Sequence, residues 1–473
     1  MNAESLLTLK ELLDSTDGIH LLGQGSFGFT SVQTDSRKVE KGTLFVPLLG
    51  ENQDGHKYIP QAIEKGCTVV LICLDNYENN SSFFVELSLK NPEVFFIGVK
   101  NTLYGLQNAA GKYVEKFPDL IKIAVTGSSG KTTTKEIAVS ILSQRYRVIS
   151  NEGNLNSETG LPLSVFNIKK EHQVGIFEMG MNRPNEIGEI AAVLKPRFAI
   201  VTNIGTAHIG KLGSRENIAR EKAKVFDYFN CFGTGFVPKD DDFASLLSDS
   251  IDGKVVYYGE DADDRIKFIE DRGLDGSEFS IDGIKVNLTL PGKYNYRNAI
   301  AAIELAFVLG LTSEEIAEGI KAIKPMFGRS QVLKGKYTVV QDCYNANPDS
   351  MEKSIDFISS VAASGNKKIL ILGDMLELGE SSKEDHRNVG VQTVSCNADV
   401  LIFVGSEMKA AYEYASNNNA ENKKIFYYEG KDDLSIKAVS DCVKENALEN
   451  DIIMIKGSRG MGLERVTALI ENT

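Results

Sequence analysis

The residues in this chain best suited to chemistry lie in the run Thr126–Thr133, TGSSGKTT. An apolar run, IKIAVT, precedes it and a helix-forming stretch begins at Lys131. Glycines let a backbone wrap with its N–H groups facing inward, and a helix N-terminus adds partial positive charge, so the combination cradles phosphate. On this reading Gly127, Ser128, Ser129, Gly130, Thr132 and Thr133 form the cradle. Lys131 reaches the β- and γ-phosphates, and the Thr132 hydroxyl ligates Mg²⁺. The general phosphate-loop pattern places its first glycine where Val125 stands, so the match is imperfect. The bland alternative is an ordinary glycine turn. A second glycine run, Gly23–Gly28 (GQGSFG), satisfies G-x-G-x-x-G but leads into a strand-like stretch, Phe29–Thr34. Without a following helix the pyrophosphate logic fails, which leaves a flexible glycine loop.

Phosphoryl transfer also needs charge compensation. Glu178 ends the apolar run GIFEMG, and His208 lies in TNIGTAHIG just past FAIVTNI. Both fall at strand C-termini, where α/β folds place their sites. Each alone reads as a hydrogen-bonded carboxylate or a loop histidine; beside a phosphate loop they become candidate Mg²⁺ ligands. Lys222, in AREKAKVF, by itself reads as a solvated helix-face lysine.

The elements that must position these residues divide into three parts. Residues 1–110 carry an opening helix (Ser5–Asp14), short β-like runs (Gly42–Pro47, Thr68–Cys73), a helical stretch (Tyr58–Lys65) and a second helix near Thr102–Phe117. Residues 111–325 alternate strand and helix. Ile121–Thr126, Val174–Met179 and Phe198–Ile204 are buried-strand runs, and helices are expected over Ser214–Phe229, Tyr294–Leu309 and Thr312–Ile323, the last with a Thr312/Glu315 capping box. Residues 326–473 repeat the alternation, with strands at Tyr337–Gln341, Lys368–Gly373, Val400–Val404, Lys424–Tyr428 and Asp451–Ile455, which implies a doubly wound, Rossmann-like domain. Pro325–Ser330 is the expected hinge.

Bulk properties bound the function. At 473 residues the chain exceeds one hydrophobic core. A net charge of −13 argues against nucleic-acid binding, since no basic stripe exists. Met1–Asp14 lacks the pattern of a signal peptide, and no run of about 18 apolar residues could cross a membrane. The six cysteines form no C-x-x-C pair, so neither zinc nor a redox pair is signalled and a cytoplasmic location is expected.

Taken in order, these motifs resemble the Mur ligase family from end to end. TGSSGKTT is similar to that family's shortened phosphate loop. Glu178, His208 and Lys222 fall where the family has its magnesium-binding Glu and His and its carbamylated lysine. Asn298 in YNYRNAIAA resembles the family's nucleotide-contacting Asn, while Arg329 in FGRSQ and Asp342 in VVQDCYNANP resemble the Arg and Asp that reach ATP from the hinge and C-terminal domain. The region before the phosphate loop is long, unlike the folate branch. Its stretch TDSRKVEKGTLFVPLLGENQDGHKYI resembles a uridine-recognition domain, with Ser36, Arg37, Asp54 and His56 as implied contacts. YNANPDSM, GDMLELG and KGSRGMG resemble the branch that adds D-alanyl-D-alanine, as does NEGNLNSETGLP. In these, Asn154, Asn156, Asn345 and Asn347 are implied substrate contacts.

The resemblance implies three α/β domains: uridine-binding, phosphate-loop ATPase and Rossmann-like. It implies an ATP-dependent ligase with two Mg²⁺ ions that acts on UDP-N-acetylmuramoyl-tripeptide and D-alanyl-D-alanine through an acyl phosphate. A monomer is expected. A Mur-type ligase adding another amino acid, and a nucleotide-dependent switch or kinase, are the competing classes.

Overall fold

The computed structural model of the chain describes residues 4–50, 53–362, 365–419 and 422–471. Met1–Ala3, and Glu51 and Asn52 of the uridine-recognition stretch, lie outside the described residues.

A six-stranded parallel sheet forms the centre. Its strands run in the order Gly253–Tyr258, Gly233–Pro238, Phe198–Val201, Ile121–Thr126, Val174–Glu178, Val148–Ser150. Strand Ile121–Thr126 shows why its run is apolar on both faces. Ile123 and Val125 enter one core and Ala124 another, all fully buried. The expected strand Phe198–Ile204 stops at Val201, because the chain there leaves the sheet to build a loop over the phosphate-loop glycines. The expected helix Ser214–Phe229 ends at Ala223 and tightens into a 3₁₀ turn, Lys224–Phe226. Helices Lys293–Val308 and Ser313–Lys321 match the expectation, and the Thr312/Glu315 capping box is present.

Beside this sheet lies a three-stranded antiparallel meander, Ile266–Asp271, Ser277–Ile281 and Ile284–Leu288, which the sequence reading missed. Its second hairpin turns at Asp282–Gly283, both with positive φ (47° and 82°), the conformation that Asp-Gly favours in tight hairpins.

The N-terminal sheet has the order Ile19–Leu22, Phe95–Val99, Cys67–Cys73, Thr43–Phe45, Ser31–Gln33, parallel except for its first pair. The opening helix runs Leu9–Thr16 and starts from a Thr8/Glu11 capping box. Helix Thr102–Val114 continues through position 110 and packs against both the N-terminal and central sheets' helices. One continuous core therefore joins them. The GQGSFG run has a packing role: a Cβ at Gly23 (φ 97°) would lie 2.0 Å from the Val94 carbonyl oxygen, and Gln24 N–H donates to Pro92 at 2.7 Å.

The C-terminal sheet has the order Gln331–Lys334, Thr338–Asp342, Ile452–Lys456, Lys368–Gly373, Val400–Val404, Lys424–Tyr428. All pairs but the first are parallel. Alternate residues of Lys368–Gly373 feed separate cores, Ile369 and Ile371 on one face and Leu370 and Leu372 on the other. The sheet is covered on both sides, as the doubly wound expectation required. No helix among the described residues is long and apolar enough to cross a membrane.

Within the N-terminal domain the Asp54–His56 turn is pinned from inside. Buried His56 accepts a hydrogen bond at Nε2 from the Cys73 N–H (3.0 Å), so its proton sits on Nδ1 and is donated to Asp54 at 2.6 Å. Asp54 also accepts from His56 N–H (2.9 Å) and Asn76 (3.0 Å). His56→Ala strips the buried Cys73 N–H of its acceptor, and we expect a loss of about 1–3 kcal/mol of stability. Denaturant unfolding of the full chain measures it. An unchanged midpoint would show that the turn holds without the ring.

Candidate active site

Strand Ile121–Thr126 lies between Phe198–Val201 and Val174–Glu178, so the C-terminal ends of three adjacent strands converge. Val125 pairs with Ile200 inside the sheet and cannot belong to a loop, which explains the shortened motif. The loop that follows is stapled to its neighbour. Ser128 N–H donates to the Asn203 carbonyl (3.0 Å) and Ser129 N–H to Asn203 Oδ1 (3.1 Å). Thr202 Oγ1 donates to Ser129 O at 2.6 Å. Two glycines are required sterically. A Cβ at Gly127 (φ 146°) would lie 1.8 Å from Thr202 Oγ1, and one at Gly130 (φ 78°) would lie 2.4 Å from Asn298 Oδ1. Asn298 is thereby placed directly over the loop. Helix Lys131–Leu142 starts here, its first-turn N–H groups facing the same space.

Below the loop, two lysines meet one acceptor. Lys131 Nζ donates to the Gly127 carbonyl at 2.8 Å and Lys222 Nζ at 2.9 Å. Lys222 is only 1% exposed, so it does not belong to a solvated helix face. Burial, reinforced by Lys131, holds its amine well below the usual lysine range. Burial and Arg329 also lower Lys131, against the pull of Glu178. His208, half-buried with φ 65°, is pushed down to about 3 by burial and by Lys131, Lys222 and Lys211. Its imidazole is neutral across the physiological range, which is the form that binds metals. Arg220, by contrast, pairs at the surface with Glu216 (2.7 Å). Lys224 pairs with Glu221 (2.7 Å), whose carboxylate receives the N–H groups of Asn185 and Ile187.

Glu178 meets hydroxyl and amide groups. Its carboxylate accepts from Thr132 Oγ1 at 2.5 Å and from Asn156 Nδ2 at 2.7 Å. Asn151, which sequence reading passed over within NEGNLN, clips the Glu178 backbone from both sides (2.9 and 3.0 Å). Among the described residues no group of three or more His, Cys, Asp or Glu is placed to hold a metal unaided. One hydroxyl beside one carboxylate at a phosphate loop is nevertheless the donor set Mg²⁺ uses with phosphates and water.

The C-terminal domain supplies the facing wall. Arg329 lies 4.2 Å from the centre of the Tyr344 ring. Asp342 is fixed by Lys456 (2.6 Å), Ser354 (3.0 Å) and the Ser330 N–H (3.1 Å). Lys456 comes from KGSRGMG, where its role was legible only as part of a motif. Asn347 caps helix Pro348–Ser360 through Ser350 N–H (2.8 Å), and Asn345 bonds the Ala346 N–H (2.9 Å). The loop that carries His208 also meets the C-terminal domain. Asp349 accepts from Thr206 N–H (2.6 Å) and Oγ1 (3.1 Å), and Glu377 Oε2 lies 3.6 Å from His208 Nδ1.

The walls enclose a cavity of about 1060 Å³. Ser128–Thr133, Asn154, Asn156, Glu178, His208, Asn298, Arg329, Asp342, Asn345 and Asn347 all line it. Gly127 and Lys222 lie behind the loop, outside the lining. Ser36, Arg37, Asp54 and His56 form no part of this wall. Ser36 is buried on Gln61 (2.6 Å), whereas Arg37 is exposed and pairs with Asp35 (2.8 Å).

Comparison with known proteins agrees with this geometry. The Mur ligase middle domain matches residues 125–306, the Mur ligase glutamate ligase domain residues 328–459, and the Mur ligase family catalytic domain residues 28–104. The UDP-N-acetylmuramoyl-tripeptide--D-alanyl-D-alanine ligase of Treponema pallidum is 39% identical over 466 residues, covering 98% of this chain and 99% of the relative. That of Bacillus subtilis is 34% identical, covering 93% of each. Among solved structures, MurF from Acinetobacter baumannii superposes with a TM-score of 0.84 at 28% identity, covering 98% of this chain and 99% of that one. MurF from Thermotoga maritima in complex with ADP gives 0.75 at 26%, covering 93% and 97%. With its phosphate loop, its paired lysines and its three matched domains in the same order, the chain belongs to the Mur ligase family.

Proposed function

We propose that this protein joins D-alanyl-D-alanine to UDP-N-acetylmuramoyl-tripeptide with ATP, releasing ADP and phosphate, in peptidoglycan precursor synthesis in the cytoplasm. One observation carries the reading. A phosphate loop, a hydroxyl–carboxylate pair and a hinge arginine face one cavity, in a chain alignable end to end with ligases named for that reaction. The working division is three domains, 1–110, 111–325 and 326–473, with Arg37 the most accessible group for the uridine diphosphate.

The tripeptide carboxylate attacks the γ-phosphate, its oxygen forming the new P–O bond while the bond to ADP breaks. The free amine of D-alanyl-D-alanine then attacks the acyl carbon, its nitrogen loses a proton to solvent, and phosphate leaves as the C–O bond to it breaks. The loop N–H groups and Lys131 hold the phosphates, and Asn298 borders the nucleotide. Arg329 and Asp342 carry the C-terminal domain against it, which excludes the water that would hydrolyse the acyl phosphate. Thr132 and Glu178 would hold one Mg²⁺, and His208 with a carbamylated Lys222 a second; the ions supply neutralisation of phosphate charge. A carbamate forms when the neutral lysine amine adds CO₂ and releases a proton. Its remaining N–H can still donate to the Gly127 carbonyl.

Incubation with UDP-muramoyl-tripeptide, D-alanyl-D-alanine and Mg-ATP should give a product of pentapeptide mass, with phosphate release that requires both the carboxylate and the amine. Phosphate release without the amine and without a new amide would point to a switch or kinase instead. Lys131→Ala should lower turnover by on the order of a hundredfold or more while the protein stays folded. Near-normal turnover in that variant would remove the nucleotide from this loop.

Lys222→Ala should lose activity by roughly a hundredfold, the scale of several kcal/mol of charge stabilisation. Acetate or formate should raise its rate by returning a carboxylate to the vacated space. Arg220→Ala, on the exposed Glu216 pair, is the control that stays active. Lys224 cannot serve as one, because it braces the carboxylate that caps helix Glu186–Leu194. An unmodified Lys222 in a nucleotide-bound structure, together with no carboxylate rescue, would end the carbamate assignment.

A further inference from the structure

The second half-reaction requires an amine, and an α-amine with a pKa around 8 arrives largely as an ammonium. The floor it must approach carries Lys131, with Arg329 facing it from the hinge and Lys222 behind the loop. A carboxylate on the wall of the same cavity that no other group holds gives such an ammonium a charge-assisted partner.

Most acids on the cavity wall are committed. Glu178 is held by Thr132 and Asn156, Asp342 by Lys456, and Glu260 by Lys293 and Arg297. Glu186 is tied to the Asn182 N–H (2.5 Å), and Asp241 to Ile204 N–H (2.8 Å). Glu377 differs. Its side chain is 59% exposed, and among the described residues its one polar neighbour is the His208 ring across the domain boundary. That ring follows strand Phe198–Val201, the immediate neighbour of the phosphate-loop strand. Asp240, from the loop after Gly233–Pro238, starts one strand further away.

The backbone under Glu377 is specialised as well. Its φ is 67°, the left-handed region that a glutamate seldom adopts, and His208 opposite has φ 65°. The following residues press the two domains together. A Cβ at Gly210 would lie 2.8 Å from the Leu378 carbonyl oxygen and 3.3 Å from the Gly379 Cα. The close approach sets the Glu377 backbone at the lip of the cavity, on the C-terminal domain.

We infer that Glu377 is the amine-binding residue for the incoming dipeptide: its carboxylate receives the ammonium of D-alanyl-D-alanine at the lip beside His208, and once that nitrogen has released a proton to solvent the free amine is directed toward the acyl carbon. The inference rests on the ligase reading above and adds a substrate contact to it. Because the carboxylate belongs to the C-terminal domain, the amine subsite is complete only when that domain lies against the His208 loop.

The test is steady-state kinetics of the full-length enzyme with each substrate varied in turn. Glu377→Gln keeps shape and removes charge. It should raise the KM for D-alanyl-D-alanine by about tenfold, as expected for loss of a charge-assisted hydrogen bond. The KM values for Mg-ATP and the UDP-substrate should stay within about twofold. Glu377→Asp keeps the charge and tolerates the left-handed backbone, so its KM should fall between wild type and Glu377→Gln. Acyl phosphate trapped with hydroxylamine in the absence of dipeptide should form at the wild-type rate in both variants. An unchanged dipeptide KM in Glu377→Gln, or a parallel rise in the Mg²⁺ or ATP requirement, overturns the assignment; the latter would place the carboxylate with the metal or nucleotide. If wild-type enzyme makes no amide with D-alanyl-D-alanine, the ligase reading fails and takes this inference with it.

Discussion

Two ammonium groups converge on the Gly127 carbonyl, and much of the surrounding structure is arranged to make that convergence possible. Gly127 must lack a side chain because Thr202 occupies the space, and its φ of 146° turns the carbonyl down toward the lysines. Lys131 reaches it from the first turn of the loop helix, and Lys222 from a helix far away in sequence. Two like charges this close and this buried repel strongly in a low dielectric. The pair is tolerable only if one amine gives up its charge or an anion arrives. Both outcomes suit the reaction, since phosphates are the anion and a neutral Lys222 is the form that can add CO₂.

The cavity is shared between the two domains that Pro325–Ser330 connects. Loop, Glu178 and His208 belong to the central sheet; Arg329, Asp342 and Tyr344 belong to the hinge and C-terminal sheet. Asp349, at the start of helix Pro348–Ser360, takes the Thr206 N–H and hydroxyl, while a Cβ on Gly205 would collide with its carboxylate at 2.0 Å. The contact between these domains is thus made by specific hydrogen bonds as well as by burial. An enzyme with an acyl phosphate to protect benefits from such a contact, since wet and dry states of the site then differ by discrete interactions.

Sequence alone located the phosphate loop, the strand-end acid and histidine, and the two doubly wound sheets, because each is a local pattern. What local pattern alone could not show was non-local. Lys222 sits in a charged run, AREKAKVF, and only the packing of that helix against the loop decides that it is buried. His56 belongs to a suggestive Asp-Gly-His turn, but its second nitrogen is committed to Cys73, a partner that no spacing rule would reveal. Asn151 looked like one more loop polar residue and proves to clip the Glu178 backbone. The meander at 266–288 was a different failure. Ser277–Ile281 alternates buried and half-buried positions and ends at an Asp-Gly turn, both readable signals. They were masked because the flanking strand Ile266–Asp271 is short, charged and largely exposed.

The charge distribution completes the argument. A protein with a net charge of −13 must bind a polyanionic nucleotide and a second anionic substrate. Screening makes this possible, since at physiological ionic strength fields between exposed charges fade over about 8 Å. What an incoming phosphate senses is then the local wall: Lys131, Arg329, Arg459 and the loop N–H groups, with Asp342 paired with Lys456 and Glu178 hydrogen-bonded by Thr132 and Asn156. The acidic exterior keeps the chain soluble without contesting the site. The same locality explains how one cavity can receive substrates of opposite charge. Anions are drawn to the loop at its floor, and the exposed Glu377 carboxylate at the opposing lip offers a place for a cation.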